Sequence, residues 1–446
     1  MAQDLTKGRP FPTLLKFTLP VIGGNLFQLF YTLADTMIVG RTLGSNALAA
    51  VGSTTIIIYL VLCFIQGITS GFGICLGQRC GAGDEKAMRQ SVAVSFVLSA
   101  AFTVLITVVC CLLAHPILHW MQTPDSIYDM AYDYMFAVLL GTGATIFYNL
   151  ISNIFRALGD SRTPVVFLAL ASLLNIALDI VSIRLLDMNV EGPALATVIS
   201  QGVSGVICLF YMWKKYPVLR GTREEWKPEL SYMKRLCLIG IPMGLQYSVT
   251  AIGTLVVQAA VNGLGAAVVA GVTAAQKINA FISCPVEALG QTMAPYTGQN
   301  MGAGKLDRIG KGLLSASLIG FGASLICFLI ALLGGRQLTL LFVDAAEAQI
   351  IEYSYEFLLF CTGGYCLLTL VNTVRFTIQG MGFSIFAIVS GVMEMIARIL
   401  ASAVLVPFLG YAAICMAHPM AWIFADIFLI PAFFWCRQQI GKKRCM

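Results

Sequence analysis

The sequence predicts an all-α polytopic membrane protein, with twelve transmembrane helices in two six-helix bundles related by an internal repeat. Its 446 residues are 58% hydrophobic and 11% charged, and the mean hydropathy is +0.83. Soluble domains carry about 25% charged residues. Apolar runs of about 20 residues, the length that crosses a bilayer as a helix, recur along the whole chain. Short polar motifs also recur at a nearly constant offset between the two halves.

Twelve apolar runs define the predicted spans. They cover residues 14–41, 48–77, 87–115, 130–152, 163–185, 191–213, 236–262, 267–297, 309–334, 350–372, 383–406 and 410–436. The one long polar segment, 214–235, divides the chain nearly in half. We therefore expect an N-terminal six-helix lobe over 1–213, a cytoplasmic linker over 214–235 and a C-terminal six-helix lobe over 236–446.

Lysine and arginine residues set the expected orientation. Of the 28, 23 fall on one side of the spans and two, Lys277 and Arg398, lie within them. The other side has only Arg41, Arg184 and Arg336. Positive residues collect on the cytoplasmic side, so both termini are expected there, in a multi-pass protein of the cytoplasmic (inner or plasma) membrane. No removable signal peptide is expected, because the N-terminus lacks a short apolar core with a small-residue cleavage site.

The internal repeat is visible in two motifs. Residues 77–83 read G-Q-R-C-G-A-G and residues 298–304 read G-Q-N-M-G-A-G, at an offset of 221. Asn153-x-x-Arg156 matches Asn372-x-x-Arg375 at an offset of 219. Two halves of six spans that both begin in the cytoplasm are parallel repeats about an axis along the membrane normal.

Span 1 contains an acid that nothing nearby neutralises. The residues on the helical face of Asp35 are Tyr31, Thr32, Ile38 and Val39. An ionised carboxylate is costly in hydrocarbon and is therefore a functional hypothesis by default. Asp35 must find partners elsewhere in the chain, or carry a proton or a cation.

Spans 5 and 6 offer such partners. Asn175 and Asp179 are four residues apart, as are Thr197 and Gln201, so each pair shares one helical face. Counted along the spans, Asp179, Thr197 and Asp35 all fall in the outer half of the membrane. The set predicts either an oxygen cage for a hard cation such as Na⁺ or two carboxyl groups that share a proton. The structural alternative is a network that only holds spans 1, 5 and 6 together.

The second half lacks this arrangement. The repeat places Val256 or Val257 opposite Asp35, and Glu394 and Arg398 opposite Asn175 and Asp179. Glu394 and Arg398 are four residues apart and are expected to form an ion pair, more structural than transporting. Lys277 and Glu287 in span 8 are ten residues apart, too far to touch. We expect them to face a cavity or a partner, for which His418 and Asp426 are candidates.

Three stretches together resemble one family. LADTMIVGRTLGSNALAAVG, the repeated G-Q-x-x-G-A-G and NIFRALGDSRTP are similar to the multidrug and toxic compound extrusion (MATE) family, over essentially the whole chain. The resemblance implies two six-helix bundles around a central cavity. It also implies export of organic compounds against Na⁺ or H⁺.

The resemblance also implies roles for single residues. The N-lobe cation-site pattern of the DinF-like branch is matched by Pro20, Tyr31, Asp35, Asn175, Asp179 and Thr197. In that pattern Pro20 bends helix 1, and the acids, the amide and the hydroxyl are the ligands, for Na⁺ if coupling is to sodium. Tyr31, Asn153 and Gln201 are expected in the substrate cavity. The NorM-type branch has a carboxylate in helix 7 that span 7 lacks here.

We therefore expect a cation-coupled antiporter that exports cationic or amphipathic organic compounds across the cytoplasmic membrane by alternating access. It is expected to be a monomer in the lipid bilayer, with no cofactor and no nucleic-acid partner. The alternative is a flippase for a lipid-linked saccharide, which would need several cationic residues in its cavity. An enzyme would need clustered His, Asp or Glu residues with catalytic or metal spacing, and the three histidines do not supply it. No Walker-type loop for ATP is present.

Overall fold

The computed structural model describes residues 3–222, 225 and 229–445. Its helices are α1 (Pro10–Thr42), α2 (Ser45–Ala82), α3 (Glu85–Trp120), α4 (Asp125–Leu140), α5 (Thr142–Ala157), α6 (Arg162–Arg184), α7 (Glu191–Lys215), α8 (Leu230–Asn262), α9 (Ala266–Gly302), α10 (Leu306–Thr339), α11 (Ala348–Gly363), α12 (Tyr365–Gly380), α13 (Ser384–Ile399), α14 (Val406–Leu409) and α15 (Tyr411–Cys445). A 3₁₀ turn covers Pro217–Leu219, and a π-helical segment, Leu400–Leu405, joins α13 to α14.

The predicted membrane architecture is confirmed. Within the described residues, ten helical stretches are long and apolar enough to cross a membrane, one of them being α13 continued through α14. Two further crossings are bent pairs: α4 with α5, bent by 42°, and α11 with α12, bent by 48°. Counting each bent pair as one span gives the twelve predicted from hydropathy.

The two bends were not predicted, and a glycine lies at each of them. A Cβ added to Gly141 would lie 2.0 Å from a methyl carbon of Val198, and one added to Gly364 would lie 2.9 Å from the Trp422 ring. Only glycine lets the backbone approach these side chains so closely. Hydropathy does not register such contacts, because the apolar run continues through each bend.

Contacts divide the chain into two compact units. One contains residue 3 and residues 23–244, and the other contains residues 4–22 and 245–445. These boundaries fall inside α1 and α8. The lobes expected over 1–213 and 236–446 are instead defined by the internal repeat and by the linker over 214–235. Part of that linker lies outside the described residues. The repeat-based lobes stay a prediction. Each helix that opens a half of the chain contributes turns to both units.

Glycines also set the crossing of α2 and α8 in the unit of residues 23–244. A Cβ on Gly67 would lie 2.5 Å from the Cα of Gly244, and one on Gly71 would lie 2.5 Å from the Cα of Gly240. Each helix thus presents two glycines four residues apart. Small residues at this spacing let helix backbones pack in direct contact inside a membrane.

The repeated G-Q-x-x-G-A-G motif ends a helix in both units. Its last glycine adopts a left-handed conformation, with φ of 70° at Gly83 and 72° at Gly304. In the unit of residues 245–445, Gln299 Oε1 accepts a hydrogen bond from the Leu5 backbone N–H at 3.1 Å, and Asn300 Nδ2 donates to the Leu5 carbonyl at 3.1 Å. Leu5 itself is fully buried. The motif therefore closes a helix and holds a chain segment beside it.

Asp160, from the stretch NIFRALGDSRTP, organises the start of α6. Its Oδ1 accepts the backbone N–H groups of Arg162 and Thr163 at 3.2 and 3.1 Å. Its Oδ2 accepts from Lys215 Nζ at 2.7 Å and from the Tyr216 hydroxyl at 3.1 Å. Burial acts to raise the pKa of this carboxyl group, but the hydrogen bonds from Lys215 and Thr163 outweigh it and lower the pKa below its ordinary value of 3.8.

We expect Asp160→Asn to destabilise the protein by about 2–3 kcal/mol at neutral pH, because charge-assisted hydrogen bonds are lost and Lys215 is left unpaired. A carboxyl group whose pKa is lowered on folding adds stability above its unfolded pKa. That stability is lost as the pH falls through the folded value. The thermal unfolding midpoints of variant and wild type in detergent should therefore converge at acidic pH. Asp129→Asn, at an exposed position of α4, is the control, and a pH-independent difference would contradict the assignment.

Candidate functional site

The sequence-predicted acids come together in the unit of residues 23–244. α6 and α7 run antiparallel through a short connection, and α6 carries Asn175 and Asp179 on one face. Their exposed fractions are 1% and 0%. α1 adds Asp35, which is half-buried, and α7 adds Thr197. Residues far apart in the chain therefore form one cluster, as their matched depths predicted.

The central feature is a contact between two carboxyl groups. Asp35 and Asp179 lie close enough for a hydrogen bond between their side chains. Each also has a buried Oδ1 that makes no hydrogen bond within the described structure. Two ionised carboxylates repel each other at this range, whereas a proton held between them turns the repulsion into a hydrogen bond. The contact is the arrangement expected of a shared proton.

A hydrogen-bonded network supports the carboxyl pair. With the Asn175 amide oriented to satisfy its surroundings, its nitrogen donates to Asp179 Oδ2 at 3.1 Å. Its oxygen then accepts from the backbone N–H and from Oγ1 of Thr197, both at 3.1 Å. The Thr197 hydroxyl lies 3.2 Å from that of Tyr31. A continuous polar path therefore runs from Tyr31 to the two acids.

Tyr134 of α4 belongs to the same site and was missed from the sequence. It is half-buried and interacts electrostatically with Asp35, Asp179 and Tyr31. The sequence gives no signal for it, because α4 also carries Tyr128 and Tyr132 and nothing in the sequence shows which tyrosine faces the acids. Its hydroxyl adds a second phenol beside the carboxyl pair.

Gln201 and Asn153, which were expected in a substrate cavity together with Tyr31, have hydrogen-bond partners within the unit. Gln201 Oε1 accepts a hydrogen bond from Thr145 Oγ1 at 2.6 Å. Asn153 is 6% exposed and donates to Thr69 Oγ1 at 3.2 Å. The role of Gln201, Asn153 and Tyr31 in a substrate cavity stays a prediction.

Pro20 lies inside α1, which continues as one helix from Pro10 to Thr42. The proline cannot donate the backbone hydrogen bond of its turn. Three residues later the packing of α1 passes from one unit to the other, between Ile22 and Gly23. A Cβ on Gly23 would meet nothing within 4 Å. The helix therefore lacks a backbone hydrogen bond near this level, and the hinge role of Pro20 stays a prediction.

The pair expected from Glu394 and Arg398 is present in the other unit, with a third member. Arg398 donates to Glu394 Oε2 at 3.0 Å, and Arg375 donates to Glu394 Oε1. Arg375 also donates to Ser390 Oγ at 3.0 Å. From its position after span 10, Arg375 was expected among the cations of the cytoplasmic side, whereas it lies inside α12. Its side chain is 5% exposed and is held by a buried acid on the neighbouring helix.

Lys277 and Glu287 are both exposed on α9 and do not meet each other, as their spacing predicted. The Lys277 ammonium lies over the Phe342 ring, 5.6 Å from its centroid. Glu287 Oε1 accepts a hydrogen bond from Ser283 Oγ at 2.7 Å. Each of the two residues therefore has a local contact within the unit, and a part in coupling stays a prediction.

The partners suggested for those two residues lie in other surroundings. The His418 ring packs edge-on against Phe357, with centroids 5.9 Å apart. Asp426 interacts electrostatically with Arg375 and Glu394. Asp426 therefore belongs with the buried ion cluster, not with the polar residues of α9.

Comparisons with known proteins agree on one family. The family model described as MatE matches residues 20–181 and 242–407. The chain is 32% identical, over 310 residues and 69% of each chain, to the probable multidrug resistance protein YpnP of Bacillus subtilis (strain 168). It is 24% identical to the probable multidrug resistance protein YoeA of the same organism, covering 99% of this chain and 98% of the relative. A solved outward-facing structure of a multidrug resistance MATE family transporter of the MOP superfamily superposes with a TM-score of 0.88 at 23% identity, covering 99% of this chain and 98% of that chain.

Proposed function

The chain belongs to the MatE family of membrane transporters, and from this premise we propose that it exports organic compounds in exchange for a cation carried by Asp35 and Asp179. The observation that carries the proposal is the contact between these two carboxyl groups inside membrane-spanning helices. Ionisable groups at such positions are costly to bury, and they mark substrate and ion pathways.

The geometry supports H⁺ over Na⁺ as the coupling ion. A direct contact between two carboxyl groups calls for a proton between them, whereas a hard cation would take their oxygens together with several others as ligands. Here the carboxyl groups contact each other, and Asn175 and Thr197 use their polar atoms on one another and on Asp179. In this arrangement one proton stabilises the pair, and its loss leaves two adjacent negative charges that must separate.

The proposed substrates are cationic or amphipathic organic molecules. The two similar relatives named as probable multidrug resistance proteins support this class. A flippase for lipid-linked saccharides needs free cationic side chains to hold a pyrophosphate. Arg375 and Arg398 are instead committed to Glu394. Lys277 is the exposed cation that lies farthest from the ends of the described membrane-crossing helices. This distribution supports the exporter.

The proposed transport step couples the acids to α1. Asp35 lies fifteen residues after Pro20, or about four helical turns. Because α1 lacks a backbone hydrogen bond at Pro20 and a Cβ at Gly23 would meet nothing within 4 Å, we expect the helix to bend there and displace Asp35. A proton biases such a bend only if the two helix shapes bind it with different affinity. Contacting carboxyl groups require the proton, whereas separated ones do not.

The proposed setting is the cytoplasmic membrane, with both termini in the cytoplasm and the protein acting as a monomer. The excess of Lys and Arg on one side of the spans supports this orientation. Moving Arg375 out of that count leaves the excess intact, because only Arg41, Arg184 and Arg336 lie on the other side.

Reconstitution into liposomes tests the proposal. Purified protein is given a fluorescent organic cation such as ethidium and either an imposed H⁺ gradient or an imposed Na⁺ gradient at equal pH. We expect the H⁺ gradient to drive accumulation and the Na⁺ gradient to have no effect. Accumulation driven by the Na⁺ gradient alone would show that the coupling ion is Na⁺ and not H⁺. No accumulation under either gradient would reject cation-coupled export of this substrate class.

A further inference from the structure

A second group of buried charged side chains lies in the unit of residues 245–445, and the proposed coupling site does not use it. It comprises Arg375 of α12, Glu394 and Arg398 of α13, and Asp426 of α15. Their exposed fractions are 5%, 2%, 3% and 5%. Buried ion pairs add little stability over apolar residues of similar volume. Four such groups at membrane depth therefore call for a functional explanation.

The members of this cluster are unequally satisfied. Glu394 accepts hydrogen bonds from both arginines, and Arg375 has a further acceptor in Ser390. Both carboxyl oxygens of Asp426 are buried and make no hydrogen bond within the described part of the chain. Yet Asp426 lies near enough to Arg375 and Glu394 to interact with them electrostatically. It is a buried acid beside a cation that is bonded to another acid.

Two opposing effects act on the charge of Asp426. When Asp426 is neutral, the cluster carries two positive charges and one negative charge. An ionised Asp426 would bring the total charge of the cluster to zero. A buried carboxylate that accepts no hydrogen bond is, however, strongly destabilised. Protonation greatly reduces that penalty, because a neutral carboxyl group costs far less to bury than an ionised one. A hydrogen bond from Arg375 would reduce the penalty of the ionised form. The arrangement therefore offers one stable state with a proton and another without it.

The remaining surroundings of α15 do not neutralise Asp426. The other titratable groups on the elements packed against it include Glu352 and Glu356 of α11 and His418 of α15 itself. Glu352 forms an ion pair with Arg336 at 2.8 Å. Glu356 interacts with Tyr411. His418 interacts electrostatically with Arg398. The π-helical segment and α14 carry no charged residue.

We propose that Asp426 is a proton-binding site and that release of its proton transfers Arg375 from Glu394 to Asp426. Glu394 binds both arginines in the structure, and the proposed proton is assigned to Asp426 in this state. When the proton leaves to water, the new carboxylate accepts the Arg375 guanidinium, and Glu394 keeps Arg398. The exchange moves α12, which begins at the bend beside Gly364, relative to α13 and α15. This site is independent of the Asp35–Asp179 pair.

Infrared difference spectroscopy of the purified protein between acidic and alkaline pH tests the proposal. Buried protonated carboxyl groups absorb apart from ionised and solvated ones. In an Asp35→Asn/Asp179→Asn background we expect one such band to remain, and adding Asp426→Asn should remove it. Glu347→Gln, at an exposed loop position, is the control and should leave the band in place. No band in the background variant, or a band unchanged by Asp426→Asn, would overturn the proton site.

Two further variants separate the site from the exchange. Asp426→Glu keeps a carboxyl group and should shift the infrared band without removing it. This variant tests the assignment of the band if Asp426→Asn does not fold. Glu394→Gln removes the competing acceptor, so Arg375 is free to stabilise ionised Asp426. The band should then disappear at a pH lower by about one unit. If Glu394→Gln leaves the pH at which the band disappears unchanged, Arg375 does not transfer from Glu394 to Asp426.

Discussion

Asp35→Asn and Asp179→Asn are each expected to abolish gradient-driven export while leaving the amount of folded protein nearly unchanged. An amide has the size and shape of the carboxyl group, so packing is kept. It can no longer release or take up a proton. Loss of either acid removes the charge change that the proposed bend of α1 depends on. The readout is accumulation of ethidium in liposomes under an imposed H⁺ gradient, at equal reconstituted protein.

Asp129→Asn is the matched control, because Asp129 is exposed on α4. It should transport like the wild type. Thr197→Val gives a graded case, since it removes the hydroxyl that joins Tyr31 to Asn175 but leaves both acids in place. We expect it to slow transport without abolishing it. Wild-type export by either single Asp→Asn variant would show that the carboxyl pair does not carry the coupling ion.

Gly67→Val and Gly71→Val are expected to prevent accumulation of folded protein. The Cβ of either variant would lie 2.5 Å from backbone atoms of α8, which cannot rotate away as a side chain can. The two helices must separate, and the packing they share is lost. Overpacking of a buried site typically costs 1–3 kcal/mol. We expect about 3 kcal/mol or more here, because backbone opposes backbone.

The measurement is the yield of monodisperse protein after detergent extraction, together with its thermal unfolding midpoint. Gly52→Val is the control on the same helix, since its Cβ would meet nothing within 4 Å. Gly67→Ala should give an intermediate loss. Equal yields and midpoints for Gly52→Val and Gly67→Val would mean that the close crossing of α2 and α8 does not exist in the membrane.

Features that depend on local sequence were predictable from the chain. The twelve spans follow from hydropathy, because the bilayer imposes a length and an apolar surface on each helix. The pairing of Glu394 with Arg398 follows from their four-residue spacing on one helix. The cluster of Asp35, Asn175 and Asp179 was predicted from depth, since residues at one level of packed helices can meet.

Other features depend on which helix faces come together, and only the tertiary structure decided them. Arg375 looked like a cytoplasmic cation because its buried partner, Glu394, lies on another helix. Tyr134 had no signal, because its role depends on how α4 is rotated toward the acids. The glycines of α2 and α8 and the bend at Gly364 serve contacts with distant side chains and backbones. The sequence by itself therefore determined the membrane architecture and the level of the acids in the membrane. Helix packing decided the partners of those acids, because contacts between helices depend on the rotation of each helix about its axis and on the distance between helices, which hydropathy does not encode.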